Sequence, residues 1–293
     1  MRVRMFKYLY YNRKKSIYFT EERSHKLTFM EKALLCLNLQ RKIEIPFLDL
    51  DVNTVCDLRC AKCAKCTPYF KKKESYAAAD VIGHLETLLK YVDKIYALSI
   101  IGGEPFLNRD IGEVIRFCSD CGKIQDVDIT TNATVMPDES VFQTLAHSRV
   151  VVHISDYKLK NAKLTENKKR FIEKLDAYGI PYQFFTHENW LDFGPVEKRG
   201  HGKRQLKMMY YCCPMNSCNI FNQGKIYRCG RASYMGNHGI GELEDVIDVS
   251  CIHSRAQMRK KLRWFYTRSY SSACEYCSDK PENVIPGIQI GEA

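Results

Sequence analysis

Asp51–Phe70 reads DVNTVCDLRCAKCAKCTPYF. It puts four cysteines, Cys56, Cys60, Cys63 and Cys66, into eleven positions directly after an apolar, strand-like run. Three chemistries compete for such a cluster: zinc ligation, disulfide pairing, or the thiolates of an iron–sulfur centre. The spacing C-x3-C-x2-C favours the last. A structural zinc site normally takes four ligands that arrive as two close pairs. Three cysteines on one loop can instead hold three irons of a cube and leave the fourth iron open to a ligand. Cys66 complicates the reading, because it supplies a second C-x2-C pair. It is either a fourth ligand, closing the centre or making a zinc knuckle, or a loop thiol without a role.

The whole chain narrows the choice. Its 293 residues can bury a sizeable core, and one large domain with a small appendage is the natural expectation. Fourteen cysteines is far above ordinary usage. No run of about 18 apolar residues appears, and MRVRMFKYLYYNRKK lacks the apolar centre of a signal peptide. The expected setting is therefore the reducing cytoplasm, where many cysteines mean metal or redox chemistry more often than disulfides. The net charge of +11 is spread over Arg2–Lys15, Lys71–Lys73, Lys198–Lys207 and Arg259–Arg263, as a solvated surface would spread it.

Residues 1–44 form a basic, aromatic-rich extension with a helix expected over Met30–Arg41. From Ile45 onward, short apolar runs alternate with amphipathic stretches. Strands are expected at Pro46–Val52, Ile95–Ile101, Asp126–Thr131, Val150–Ser155 and Tyr182–Thr186. Helices are expected at Ala77–Val92, Asp110–Cys121, Asp138–His147 and Leu164–Tyr178. Such alternation implies βαβ units, a mainly parallel α/β sheet and an open or partial barrel. Near Asn189 the rhythm stops. The Gly-rich, charged GPVEKRGHGKRQLK follows, and then a cysteine-dense tail, so the expected domains are 1–44, 45–190 and 191–293.

At the end of the second expected strand stands ALSIIGGEPFLN. Gly102 and Gly103 have no side chains to block close approach to their backbone, Glu104 adds an acceptor, and Pro105 fixes the exit of the chain. Alone, GGEP is a turn; after a three-cysteine loop it is part of a much rarer pair. With CDLRCAKC (Cys56–Cys63), GGEP (Gly102–Pro105), TTNAT (Thr130–Thr134) and HISDY (His153–Tyr157), residues 45–187 resemble the radical S-adenosylmethionine (SAM) superfamily. The resemblance implies a partial (β/α)6 TIM-like barrel with its site at the C-terminal strand ends. It implies a [4Fe–4S] cluster on Cys56, Cys60 and Cys63, whose open iron chelates SAM. One electron then cleaves SAM to a 5′-deoxyadenosyl radical that abstracts hydrogen from substrate, which implies a one-electron donor such as flavodoxin or ferredoxin. By the same resemblance, Gly102, Gly103 and Glu104 meet the SAM amino group, and Asn132 and Ser155 meet its ribose or carboxylate. The bland alternatives are a turn residue for Asn132 and a helix cap for Ser155. One departure concerns the position before the third cysteine. Family members commonly carry an aromatic there; this chain has Lys62, with Tyr69 or Phe70 as substitutes.

In the tail, ten residues separate Cys213 from Gly224 and four more separate Gly224 from Cys229, while Cys274 and Cys277 form a C-x2-C pair. Gly224 lies between CNIFNQ and KIYRC, as a hairpin turn would. Two converging pairs suit zinc and a [4Fe–4S] cube equally. The pattern resembles the twitch domain, the short relative of the SPASM domain. It implies one auxiliary [4Fe–4S] cluster on Cys213, Cys229, Cys274 and Cys277, with Cys212 or Cys218 as substitutes for Cys213 and Cys251 unassigned. Cys36, Cys118 and Cys121 read as core packing.

Two function classes follow. The leading one is an enzyme that oxidises or epimerises a sugar or glycosylated small molecule, with peptide modification as runner-up; residues 1–44 look short for a leader-binding extension. The other is a zinc-clustered nucleic-acid module, which leaves GGEP unexplained and lacks an evident basic–aromatic surface, so no nucleic-acid partner is expected. No catalytic acid or base is assigned; His153, Asp156, Tyr157, Glu188 and Trp190 are the candidates. For an epimerase, Cys66 or Cys251 would be the hydrogen-atom donor.

Overall fold

The computed structural model describes residues 42–146, 149–157, 160–186 and 188–291. The helix expected over Met30–Arg41 lies outside these residues, as does Cys36. Five strands alternate with four helices: β1 (Glu44–Asp51), α1 (Ala78–Leu89), β2 (Lys94–Ile101), α2 (Ile111–Asp120), β3 (Ile124–Thr131), α3 (Glu139–Leu145), β4 (Val150–Ser155), α4 (Ala162–Ala177) and β5 (Tyr182–Phe185). The strands are largely buried on both faces, as suits parallel strands covered on both sides, with polar Asp49, Ser99 and Asp128 among their buried residues. The helices form because their residues are apolar on one face. In α2 the buried set Ile111, Val114, Ile115 and Cys118 recurs at helical spacing. Asn161 starts α4, its side chain accepting from the backbone N–H of Lys163 at 3.0 Å and of Leu164 at 3.2 Å. Cys118 is fully buried and Cys121 packs beside it, as expected of core thiols.

The main sheet has eight strands in the order β5-β4-β3-β2-β1-β7-β8-β9. Strands β1 to β5 run parallel, and β7 (Ile220–Asn222) joins β1 in parallel through Asp49↔Ile220 and Leu50↔Phe221. The sixth parallel strand therefore comes from the tail, not from the segment 45–190 that was expected to supply it. β7 turns into β8 (Lys225–Tyr227) through Gln223 and Gly224, both at positive φ (45° and 75°), the signature of a tight two-residue hairpin. β9 (Ile247–Asp248) extends the sheet antiparallel to β8. The rest of the tail consists of β6 (Trp190–Asp192) paired with β10 (Glu282–Val284), α5 (Lys203–Cys212), α6 (Gly230–His238) and α7 (Arg255–Thr267).

The core lies between the sheet and its helices. Leu48, Leu98, Ile129 and Val152 are wholly buried on adjacent strands, and each such side chain contributes roughly 1.5–3 kcal/mol. Parallel strands align their C-terminal ends along one edge, so the loops after β1, β2, β3 and β4 meet there. All four motifs singled out in the sequence lie on this edge.

Candidate active site and tail thiol site

The loop after β1 is fastened to the loop after β2 by backbone contacts. The Gly103 N–H donates to Asn53 Oδ1 at 2.9 Å, and Glu104 N–H donates to the Val55 carbonyl at 2.8 Å. Asn53 Nδ2 returns a bond to the Glu104 carbonyl at 2.8 Å. A Cβ on Gly102 would strike Asn53, and one on Gly103 would strike the backbone of Val55. The two glycines are thus required for loop-to-loop approach, besides lining the cavity described below. Asn53 is 1% exposed and was missed by the sequence reading; its signal is the amide that closes the strand-like run FLDLDVN.

Glu104 is fully buried. Its carboxylate accepts from Thr131 Oγ1 at 2.7 Å, Asn132 N–H at 2.9 Å and Phe106 N–H at 3.2 Å. Three of the roughly four acceptor positions of the carboxylate are thus taken by β3 and by its own turn, and Glu104 does not itself line the cavity described below. Burial, with Asp57 nearby, pushes its carboxyl up to about 7, against the lowering effect of those bonds. Asn132 is committed in the same way. Its Oδ1 accepts from Thr134 N–H at 2.8 Å and its Nδ2 donates to Asp57 Oδ1 at 2.9 Å, while the residue also lines the larger of the two cavities described below. Thr134 Oγ1 donates to the other oxygen of Asp57. The tie matters because Asp57 follows Cys56. Between them, Ala133 takes a positive φ of 60° in full burial, a strained backbone that this network holds in place.

A cavity of about 370 Å³ and another of about 460 Å³ lie side by side, sharing Cys63, Ala64, Met215 and Gly230. The larger is lined by Cys56, Cys60, Cys63, Gly102 and Gly103, and by side chains from the strand interiors. Ser155 lines it, and the helix that follows is capped by Asn161 instead, which overturns the cap reading. His153 also lines it, with Nδ1 3.3 Å from Asp128 Oδ1 and its ring edge-on to Phe185 at 4.6 Å. Tyr157 and Trp190 line it as a pair with ring centroids 5.2 Å apart. Asp156 and Glu188 do not: Asp156 is ion-paired to Lys168 on α4, and Glu188 is exposed. The buried polar residues Asp49, Ser99 and Asp128 join the wall and were missed, with the Ser99 hydroxyl donating to Asp128. Asp49 and Asp128 had a signal in the polar residues at every second position of their strands, Asp49 with Asp51 and Asp128 with Asp126 and Thr130, whereas Ser99 had none.

The chain's C-terminal segment straps the cysteine loop, which nothing in the sequence reading anticipated. Ala61 N–H donates to the Ile288 carbonyl and Ile290 N–H to the Arg59 carbonyl, both at 2.8 Å. Gln289 accepts from Arg59 N–H at 2.6 Å and donates through Nε2 to Cys60 Sγ at 3.5 Å. Lys62 pairs with Asp192 at 2.6 Å, joining the loop to β6. Neither proposed substitute for the missing aromatic lines the larger cavity. Tyr69 is half exposed and donates to the Ala61 carbonyl at 2.6 Å; Phe70 packs on Tyr234 and His238.

The four expected tail thiols come together from separate elements. Cys213 caps the C-terminus of α5, Cys229 caps α6 and accepts from Ala232 N–H, and Cys274 lies within a short turn of helix that Cys277 ends. The β7–β8 hairpin returns the chain from the first to the second. Cys274 lies within electrostatic reach of Cys229, Cys277 and Cys213. Of the unassigned cysteines, Cys212 and Cys251 are exposed, and Cys218 lines the larger cavity. The two thiols named as hydrogen-atom donors, Cys66 and Cys251, do not line it.

Burial pushes the thiols of Cys60 and Cys229 up to about 11, and their thiol neighbours add to the shift; Cys56, Cys213 and Cys274 are raised in the same way. Clustered buried thiols of this kind give up their protons to a bound cation, which is the donor set of a thiolate metal centre. Among the described residues no three Cys, His, Asp or Glu side chains converge closely enough to share a single ion. A cube, with a separate iron for each thiolate, does not require that convergence.

No family model matches the chain. A GTP 3′,8-cyclase of Clostridium acetobutylicum is 31% identical over 94 residues, covering 32% of this chain and 29% of the relative. A GTP 3′,8-cyclase of Listeria monocytogenes serotype 4b is 29% identical over 89 residues, covering 30% and 26%. The chain thus spans less than a third of the length of the curated relatives it matches. Among solved structures, BtrN in complex with AdoMet and 2-DOIA aligns with a TM-score of 0.46 and 18% identity over 80% of this chain and 92% of that one, a likeness too slight to bear on function. A three-thiol loop meeting a GGEP turn at the C-terminal edge of a parallel sheet, together with the cyclase matches, makes the chain a member of the radical SAM superfamily.

Proposed function

We propose that this member cleaves SAM to oxidise or epimerise a hydroxylated small molecule, a sugar or a glycosylated compound. The observation that carries the reading is a single cavity walled by Cys56, Cys60, Cys63, Gly102 and Gly103 on one side and by strand-borne polar groups on the other. When bound, a [4Fe–4S] cluster and SAM supply the electron that breaks SAM and the 5′-deoxyadenosyl radical that takes hydrogen from substrate. The chain's own residues hold and orient. Cys56, Cys60 and Cys63 bind the cluster, the Gly102–Gly103 backbone meets the SAM amino group, and Ser155 meets its ribose or carboxylate. Asn132, on the same wall, meets the ribose or carboxylate with Ser155, and Glu104 acts at one remove, by fixing the turns that bear these groups. Asp49, Ser99, Asp128, Thr130 and His153 hydrogen-bond substrate hydroxyls, and Phe47, Phe185 and Trp190 offer ring faces. A triphosphate such as GTP fits this wall poorly. It needs cations, whereas Asp49 and Asp128 are buried carboxylates and Lys65 is already paired with Asp51.

The same reading makes residues 45–190 the five-stranded part of a partial (β/α)6 core, completed by β7 from the tail, and 191–293 a twitch-like unit, behind a basic extension at 1–44. An auxiliary [4Fe–4S] cluster belongs on the four tail thiols, and a flavodoxin- or ferredoxin-type protein delivers the electron. Cys218 is the thiol placed to return a hydrogen atom in an epimerisation. The test is 5′-deoxyadenosine release by anaerobically reconstituted, dithionite-reduced protein with panels of sugars, peptides and GTP. Sugar-stimulated release that vanishes in Cys56→Ala/Cys60→Ala/Cys63→Ala supports the reading, and solvent deuterium in the product marks epimerisation over oxidation. Stimulation by peptide alone moves the substrate class to peptides. No release under any condition overturns the reading.

A further inference from the structure

Cys66 belongs by sequence to the first cysteine loop, yet its side chain is turned away from the first cavity. It lines the smaller one, together with Cys213, Cys229 and Cys277 of the tail. Its electrostatic neighbours are Cys63, Cys229, Cys277 and Arg231, so it stands on the tail side of Cys63. The backbone aims it there. Cys66 has a positive φ of 56°, its N–H donates to the Cys63 carbonyl at 2.9 Å, and its carbonyl accepts from Tyr69 N–H at 2.9 Å. A left-handed conformation at a residue other than glycine costs on the order of 1–2 kcal/mol and persists where the surroundings enforce it. Here the enforcing contacts are close. A Cβ on Gly230, next to Cys229, would sit 3.2 Å from Lys65 Cγ and 3.3 Å from the Ala64 carbonyl, so the loop before Cys66 rests directly on the start of α6. Arg231 on that helix donates to the carbonyls of Gly194 at 2.6 Å and Tyr276 at 3.2 Å, which fixes a cation beside both Cys66 and Cys277.

We infer that the tail centre has five thiols, with Cys66 joining Cys213, Cys229, Cys274 and Cys277. A cube takes four, so Cys66 can replace Cys274, the one tail thiol that does not line the smaller cavity. The inference rests on the reading of the tail as a metal centre. It makes the two cysteine sites a single mechanical unit, because a ligand of the second is carried three residues after a ligand of the first.

The experiment is done in the full chain with Cys56→Ala/Cys60→Ala/Cys63→Ala as background, so that only the tail centre is counted. Iron, zinc and acid-labile sulfide per chain, and the electron paramagnetic resonance spectrum of the reduced centre, are compared with Cys274→Ala, and with Cys274→Ala and Cys66→Ala combined. The expected pattern is retention of about four iron in Cys274→Ala with an altered spectrum, and a second spectral change with partial loss of iron when Cys66 is removed as well, because only three thiolates then remain. Loss of the metal in Cys274→Ala alone overturns the inference, as does a combined variant whose iron content and spectrum equal those of Cys274→Ala. Serine at both positions repeats the comparison with side-chain volume kept, and circular dichroism of each apo-protein shows whether the variant folds. If the background holds zinc without sulfide, the iron–sulfur reading of the tail fails, but the same comparison is then read on zinc.

Discussion

The two cysteine sites are built in opposite ways. The first sits on one loop pinned to strand ends by side chains that have nothing to do with metal: Asn53 bonds the GGEP turn, Glu104 bonds β3, and Asp57 bonds Asn132 and Thr134. The second draws its thiols from the end of α5, the start of α6 and a short helical turn near the C-terminus. Its local apolar cluster is small, with Ile220, Tyr227, Ala232, Met235 and Ala273 as the buried members. A loop fastened by hydrogen bonds keeps its shape when its ligands are removed. A site assembled from distant elements over a small core relies on the metal for part of its stability.

That contrast predicts its own largest effect. Cys56→Ala/Cys60→Ala/Cys63→Ala should abolish SAM cleavage while moving the melting temperature by only a few degrees. Cys213→Ala/Cys229→Ala should lower the melting temperature more, and chelation of the wild type should do the same; equal melting curves for the two sets would erase the distinction. Next comes the bracket. Glu104→Ala strands three buried donors and should cost about 3 kcal/mol in urea unfolding, with SAM binding lost alongside.

The same carboxyl yields a pH signature. Its folded pKa, about 7, lies above the ordinary value of 4.5, so the folded state holds the proton more tightly. The stability it contributes is complete below about pH 4.5 and is lost as pH rises through 7, a fall of about 1–3 kcal/mol. Glu104→Gln should flatten that part of the stability profile; a profile unchanged by the substitution would mean that the three bonds outweigh burial. Smaller still, Gln289→Leu removes the amide from Cys60 and from Arg59 N–H, and should cost about 1 kcal/mol. Loss of the N–H to sulfur bond should also shift the first centre's reduction potential to more negative values, read by redox titration. The least effect is expected from Lys62→Ala. Its ion pair with Asp192 is partly exposed and should be worth under about 1 kcal/mol.

The parallel core was legible because both periodicities were clean. The expected strands Pro46–Val52 and Ile95–Ile101 fall within two residues of β1 and β2, and Gly224 marked the hairpin. What the sequence hid was tertiary. Nothing local to Ile220–Asn222 says that it pairs with β1, and nothing local to Gln289 says that it reaches Cys60, because both partners are far off in the chain. Site residues divided in the same manner. The cysteine and glycine motifs stood out by their spacing, whereas the bonds that Glu104 accepts from β3 could not be read, because they form only once β3 is alongside. Asp156 and Glu188 were chosen for lying near strand ends. They miss the cavity because one pairs with α4 and the other faces solvent.

The most direct measurement is the content of iron, zinc and acid-labile sulfide per chain after anaerobic reconstitution, in wild type, in Cys56→Ala/Cys60→Ala/Cys63→Ala, and in a variant lacking all five tail-site thiols. About eight iron and eight sulfide in the wild type, falling to about four in each variant, is the expected result and would establish two separate cubes. Zinc without sulfide in the wild type would contradict the account and make the first loop a structural knuckle.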